Sequence, residues 1–207
     1  MRQETEGVTE ALIESAKKEF LEHGFHSASL RRISADSGVS TNSIYTRFGD
    51  KSGLFSAVVK EAADGLMDIY LKSIDEATHC DGISSAIGAG DKGTNLVLEY
   101  IYQNLEQFTL IFCHSQGTEY ESYFDKLAEI EETYYKRFVK QLVQRENQVD
   151  DFFIHVYCRI GWQYIYELVT HGKNYEEAKH FMENVRVFHN AGWLAISTDK
   201  ENGYQGQ

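Results

Sequence analysis

The chain has 207 residues and no proline. Average usage of about 5% would supply roughly ten. The absence excludes proline-rich linkers, polyproline recognition segments and cis-proline turns. It also removes the residue that most reliably breaks a helix. Cysteine is scarce: Cys80, Cys113 and Cys158 lie far apart, which fits a reducing compartment better than a disulfide framework. Basic residues are outnumbered 20 to 32, for a formal net charge of −12. That excludes wholesale coating of nucleic acid, which needs Lys and Arg against phosphate. No run of 18 apolar residues exists, so no membrane-spanning helix is expected. Met1 to Gly7 are polar and lack the apolar core of a signal peptide. The expected location is the cytoplasm.

What is present is helical periodicity. Ala11, Leu12, Ala16, Phe20 and Leu21 recur at helical spacing, with Thr9 as N-cap and Gly24 as stop. Shorter helices fit Leu30–Ser37, with Ser29 as N-cap, and Thr41–Phe48, with Ser40 as N-cap. A long helix follows from Lys51, capped by Asp50. Residues 79–93 are rich in Gly, Ser and Asp and read as a loop. They contain Gly88-Ala-Gly90-Asp-Lys-Gly93, which matches GxGxxG only formally, because a long helix and not a strand precedes it. Helical spacing resumes over 94–115, about 119–146 with an interruption near Tyr123, 149–171 and 175–197. The tail after Asp199 is polar. The fold class expected is all-α, with about nine helices.

Residues 29–48 hold two short helices joined by a tight turn at Gly38, the helix-turn-helix arrangement. Ile33, Ala35, Val39 and Ile44 can form its small core, with Phe48 a further core aromatic. The second helix presents Thr41, Asn42, Ser43, Tyr45, Thr46 and Arg47. Short polar side chains reach base edges, and Asn pairs bidentately with adenine. Tyr45 and Lys51 can donate to phosphate. Charge is distributed accordingly: residues 25–60 carry Arg31, Arg32, Arg47, Lys51 and Lys60 against Asp36 and Asp50, while the whole acidic excess lies in 61–207.

These residues resemble the TetR family of transcription regulators from about Thr9 to Ala62. The marks are Ala16-x3-Phe20-x3-Gly24-Phe25, Ile33-Ser34-x2-Ser37-Gly38-Val39-Ser40 and Ile44-Tyr45-x2-Phe48-x-Asp50-Lys51-x2-Leu54-Phe55. The resemblance implies an N-terminal three-helix helix-turn-helix DNA-binding domain over 1–50. A helical ligand-binding and dimerisation domain over 51–207 would follow, the helix from Lys51 bridging the two. The family usually has Gly where Asn42 stands, so Asn42 reads as a specificity determinant. It often has an acidic residue where Arg32 stands. Arg32 therefore completes no capping box with Ser29 and is free for phosphate. Its frequent Thr is Ala28 here, leaving Ser29 as the capping and phosphate-contacting hydroxyl. The DNA-binding set is Ser29, Arg32, Ser40, Thr41, Asn42, Ser43, Tyr45, Thr46, Arg47 and Lys51. Arg31 reads as a solvated surface charge.

In the C-terminal part the resemblance implies a small-molecule pocket and a dimer interface. Residues 61–207 hold 22 of the 27 aromatics. The last two helices suit a four-helix bundle made by two chains, through Phe153, Tyr157, Gly161, Tyr164, Leu168, Phe181, Val185, Phe188, Gly192 and Trp193. A polar stripe with Arg159 and Gln163 reads first as a solvated face; a second reading places those two in a pocket with Tyr100, Asn104, Phe108 and Tyr134. No HExxH, GxSxG, P-loop or zinc-ligand spacing occurs. No cofactor, no metal and no enzymatic activity are expected. The reading is a ligand-responsive, homodimeric, operator-binding regulator, a repressor acting on double-stranded, palindromic DNA. The alternatives are a helical interaction protein that does not bind DNA and an unrecognised helical enzyme.

Overall fold

A computed structural model describes residues 7–80, 82–142 and 149–197. Among these residues the chain is nine helices and no strand: α1 Val8–Ser27, α2 Leu30–Ser37, α3 Thr41–Phe48, α4 Lys51–Thr78, α5 Ile83–Gln103, α6 Leu105–Cys113, α7 Tyr123–Leu142, α8 Asp151–Thr170 and α9 Tyr175–Ser197. They divide into two compact units, one built from 1–67, 100–123 and 169–171, the other from 68–99, 124–168 and 172–207.

The first unit closes around Leu12, Ala16, Phe20, Ile33, Ile44, Leu54 and Phe55, all fully buried. Phe20 meets Phe55 edge-on at 5.0 Å between ring centres, and Phe25 meets Phe55 at 5.5 Å. Such edge-to-face pairs add to simple area burial. The caps follow the sequence in part. Ser40 accepts the Ser43 backbone N–H at 3.3 Å. Asp50 accepts that of Gly53 at 2.8 Å. Gly38 ends α2 at φ 68, a left-handed conformation that suits glycine. Three local expectations change. Gly7, not Thr9, stands at the N-cap of α1, and the Thr9 hydroxyl accepts from Arg47 instead. Gly24 breaks the helical dihedrals, yet a further turn runs on to Ser27. Ala35 is exposed, so the small core rests on Ile33 and Ile44.

The second unit packs α5, α7, α8, α9 and the end of α4 around Val97, Leu127, Ile154, Cys158, Ile165, Ala178 and Met182. Asp150 caps α8 through the Phe153 N–H at 2.7 Å. Asn174 and Glu177 exchange bonds of 2.9 and 3.0 Å at the start of α9, a reciprocal capping pair. The expected 119–146 helix begins only at Tyr123; its end beyond 142 lies outside the described residues, as does the polar tail. The expected single helix over 94–115 is broken at Asn104, where φ −121 and ψ 38 separate α5 from α6.

The largest correction concerns 79–93. This stretch is helical from Ile83 onward, so the glycine pattern there is no phosphate loop. A Cβ on Gly93 would stand 2.7 Å from the Ser73 Cβ. The glycine lets α4 and α5 approach; it does not mark a turn. Gly88 is exposed, with nothing within 4 Å of an added Cβ. Gly88→Ala is therefore expected to raise stability by roughly 0.5–1 kcal/mol through helix propensity, read as a higher urea midpoint. An unchanged or lower midpoint would contradict a helix there.

Candidate functional site

The turn between α2 and α3 is held by serine hydroxyls. Ser34 donates to the Val39 carbonyl at 2.6 Å and Ser37 to that of Ile33 at 2.7 Å, while the Val39 N–H donates to Ser37 at 3.3 Å. With Ile44 as its buried anchor, α3 turns the opposite side outward. Asn42, Tyr45 and Thr46 are exposed, as is the capping Ser40; Thr41, Ser43 and Arg47 are half-buried. Tyr45 is 54% exposed, too much for a core aromatic. Phe48 is half-buried.

Several polar groups here already have internal partners. Thr46 donates to the Asn42 carbonyl at 2.8 Å, and Ser40 and Ser43 hydroxyls lie 3.1 Å apart. Ser29 occupies the N-cap of α2, but its hydroxyl makes no capping bond. Its backbone N–H donates to Glu19 at 2.7 Å. Arg32 pairs with the same carboxylate, at 2.8 and 3.0 Å through Nε, and with the Ser27 carbonyl at 3.0 Å. Burial would push the Glu19 carboxyl up, but the Arg32 and Ser29 bonds outweigh it and hold it below the usual range. Lys51 donates to the His26 and Ala28 carbonyls at 3.0 and 3.3 Å and lies 4.8 Å from the Phe25 ring centre. It serves the end of α1, where cations suit the free carbonyls. So Arg32 and Lys51, both expected to be free for phosphate, also tie α2 and α4 to α1. Arg31 is exposed and has no ion pair among the described residues.

The second unit contains a cavity of about 210 Å³ lined from α4, α5, α7, α8 and α9. Eight aromatic side chains face it, including Tyr134, Tyr135, Tyr157, Trp162 and Trp193. Two acids, Glu131 and Asp91, line it as well, and the carboxyl of Glu131 lies close to the Tyr70 and Trp162 rings. Burial pushes the Glu131 carboxyl up to about 7, against the opposing pull of the Tyr70 hydroxyl and the Trp162 indole. Burial likewise pushes the Tyr157 hydroxyl up to about 12. His189 bridges α8 and α9: its Nδ1 lies 2.9 Å from the Tyr157 hydroxyl and its Nε2 3.2 Å from that of Tyr164. Burial lowers the His189 imidazole. Of the residues expected in a pocket, Tyr134 lines this cavity. Arg159 and Gln163 line a second, smaller depression with Phe124 and Trp162. Tyr100, Asn104 and Phe108 belong to the first unit and line neither. The Tyr100 hydroxyl donates to the Glu61 carbonyl, Asn104 sits at the α5–α6 break, and Phe108 is fully buried.

The dimer candidates separate too. Phe153, Phe181, Phe188 and Gly192 are exposed. Leu168 and Trp193 are buried within the unit. Tyr157, Gly161, Tyr164 and Val185 line the cavity. The apolar residues left exposed include Val156 and Ile160 on α8, and Val187 and Leu194 on α9. Among the described residues, no cluster of three or more His, Cys, Asp or Glu is placed to hold a metal ion, and no helix is long and apolar enough to cross a membrane.

A sequence profile described as "Bacterial regulatory proteins, tetR family" matches residues 12–58. The HTH-type transcriptional repressor AcnR of Corynebacterium glutamicum is 35% identical over 82 residues, covering 35% of this chain and 44% of that protein. AcnR of Corynebacterium efficiens is 30% identical over 82 residues, with the same coverage. The chain thus spans less than half the length of the curated relatives it matches. Among solved structures, the ketosteroid transcriptional regulator KstR2 of Mycobacterium tuberculosis superposes with a TM-score of 0.65 at 14% identity, covering 95% of this chain and 98% of that one. The TetR-family regulator PfmR of Thermus thermophilus gives 0.59 at 18% identity, covering 93% and 96%. At such identities these two speak for the fold alone.

Proposed function

This chain belongs to the tetR family of bacterial regulatory proteins, and from that premise we propose that it is a ligand-responsive transcriptional repressor released from its operator by a small molecule. The observation that carries the reading is α3 itself: a Ser40-capped helix, anchored by Ile44, with Asn42, Tyr45 and Thr46 exposed on one side. Asn42 reads a base edge in the major groove, and Tyr45 and Ser40 meet phosphate. Arg31 joins them as a phosphate contact, because it is exposed on α2 and has no ion pair among the described residues. Lys51 and Arg32 position the helices and add charge.

The exposed apolar stripe of α8 and α9 (Phe153, Val156, Ile160, Phe181, Val187 and Phe188) is where a second copy docks, giving a four-helix dimer interface. Two heads then face half-sites about 34–36 Å apart on a palindromic operator. The effector occupies the aromatic cavity. By favouring one separation of the heads it shifts the population away from the DNA-bound state, provided it binds the two states unequally. The protein acts where the DNA is, in the cytoplasm, and performs no catalysis.

Selection of bound sites from random DNA tests this reading. An enriched palindrome supports it; failure to enrich any site opposes it. On the selected site, Asn42→Ala is expected to cost roughly 1–3 kcal/mol at one position of each half-site and to relax base preference there. A uniform loss across all sequences would move Asn42 to a phosphate role.

A further inference from the structure

Glu131 is a carboxyl inside an aromatic chamber. Tyr70 on α4, Tyr134 and Tyr135 on α7, Tyr157 and Trp162 on α8 and Trp193 on α9 share that wall. A carboxylate removed from water needs a cation or hydrogen-bond donors to hold its charge. The groups that ease the Glu131 charge are donors, the Tyr70 hydroxyl and the Trp162 indole; no cation is among them. The one arginine on the wall, Arg186, donates to Asn95 at 3.0 Å. The other acid there, Asp91, accepts from Asn190 at 3.0 Å. Both tryptophan indole N–H groups are buried and make no hydrogen bond of full geometry among the described residues, that of Trp162 being turned to Glu131 and that of Trp193 to Tyr157. The chamber therefore combines a carboxyl that has donors but no cation beside it with a wall of aromatic faces. Aromatic faces attract cations through their ring quadrupoles, and more strongly when water is excluded.

We propose that the effector is an organic cation, a cyclic or aromatic ammonium compound. Its charged nitrogen sits against Glu131 and the faces of the surrounding tyrosines. This rests on the regulatory reading of the same cavity. The cation supplies the partner that the carboxyl lacks, so binding favours ionised Glu131.

The chain's two tryptophans both line this cavity, so tryptophan fluorescence of the full-length protein reports binding there. Three probes are compared: benzyltrimethylammonium, benzyl alcohol and phenylacetate. The expected order is cation tightest and anion weakest. Glu131→Gln is expected to weaken the cation at least tenfold and leave benzyl alcohol within twofold, while Glu131→Asp retains the cation preference. A pH series on the unaltered protein needs no variant. The quaternary nitrogen does not titrate, so its affinity should rise roughly tenfold from pH 6 to pH 8 as Glu131 ionises through about 7. His189, also on the wall, loses positive charge as pH rises, which favours the cation in the same direction, so a smaller slope should persist in Glu131→Gln. Stronger binding of phenylacetate or benzyl alcohol, no response to the cation at millimolar concentration, or a cation affinity untouched by Glu131→Gln each overturns the proposal. Release from DNA is read separately by gel shift. Cation binding through Glu131 without release upholds the ligand class and defeats the regulatory reading. Release by phenylacetate does the reverse.

Discussion

Phe20→Ala is expected to destabilise the helix-turn-helix unit by about 3–5 kcal/mol and to abolish DNA binding at ordinary temperatures. Phe20 is fully buried and touches two other rings, Phe55 edge-on at 5.0 Å and Phe25 at 6.2 Å. Removing it deletes the transfer energy of the largest buried side chain of α1. It also leaves a cavity bordered by Phe25 at the end of α1 and Phe55 on α4, which cannot collapse without moving α4. A loss of that size is a large fraction of the 5–15 kcal/mol that ordinary domains have. Tyr45→Ala is the matched comparison. Tyr45 is 54% exposed, so its truncation should leave the unfolding midpoint nearly unchanged while weakening DNA binding. Urea denaturation and gel shift on both variants separate the two roles. A Phe20→Ala protein with an unchanged midpoint would remove the aromatic core as the organiser of this unit.

The same contrast explains which parts of the head were readable in sequence. Ile33, Ile44, Leu54 and Phe55 follow helical spacing, and spacing dictates burial when each helix has one covered side. Ser40, Gly38 and Asp50 are legible because capping and left-handed geometry are local. Arg32 and Lys51 are not. Their partners, Glu19 and the carbonyls of His26 and Ala28, lie 13 to 25 residues away in sequence, and a cation near a DNA-reading helix looks alike whether it faces phosphate or its own protein. Glu19 held the missing signal. It is an acid on the buried side of α1, beside Leu12, Ala16 and Phe20, and only 8% exposed, and such a group needs a partner from outside its own helix.

In the second unit, local composition misled where tertiary packing decides. Residues 83–93 have poor intrinsic helix propensity, with Gly88, Gly90 and Gly93 in close succession. They are helical because Ala86 and Val97 bury on the same element and Gly93 admits Ser73. The cavity residues were mostly missed for a related reason. Trp162, Trp193 and Tyr135 have the periodicity of core, and most of each side chain is core. That their inner faces border empty space depends on how five segments meet, which no single helix encodes. Tyr134 is the one pocket candidate from the sequence that lines the cavity; Glu131, an acid four positions before Tyr135 on an amphipathic helix, is not among those candidates.

Gly53→Ala is expected to destabilise the protein by about 3 kcal/mol, the upper end of ordinary overpacking, and to remove DNA binding even where the chain still folds. Gly53 lies in the first turn of α4, and helix propensity alone would favour alanine by about 1 kcal/mol. The surroundings reverse that sign. An added Cβ would stand 1.9 Å from the Phe48 carbonyl oxygen and 3.0 Å from its carbon. Both are backbone atoms, so no side-chain rotation relieves the clash. Either the Gly53 N–H gives up its 2.8 Å bond to Asp50, or the end of α3 moves away. Moving that end disturbs the Gly49 N–H bond to the Tyr45 carbonyl at 3.0 Å, which closes the last turn of α3. On the proposed reading α3 carries the side chains that meet DNA, so a displacement too small to unfold the protein would still misplace Asn42 and Tyr45. Gly88→Ala, predicted to stabilise, is the control for the substitution itself. Circular dichroism, a urea midpoint and a gel shift together decide the case. A Gly53→Ala protein that matches the unaltered chain in both midpoint and DNA affinity would mean that the close packing of α4 on the end of α3 does not set the geometry of the reading helix.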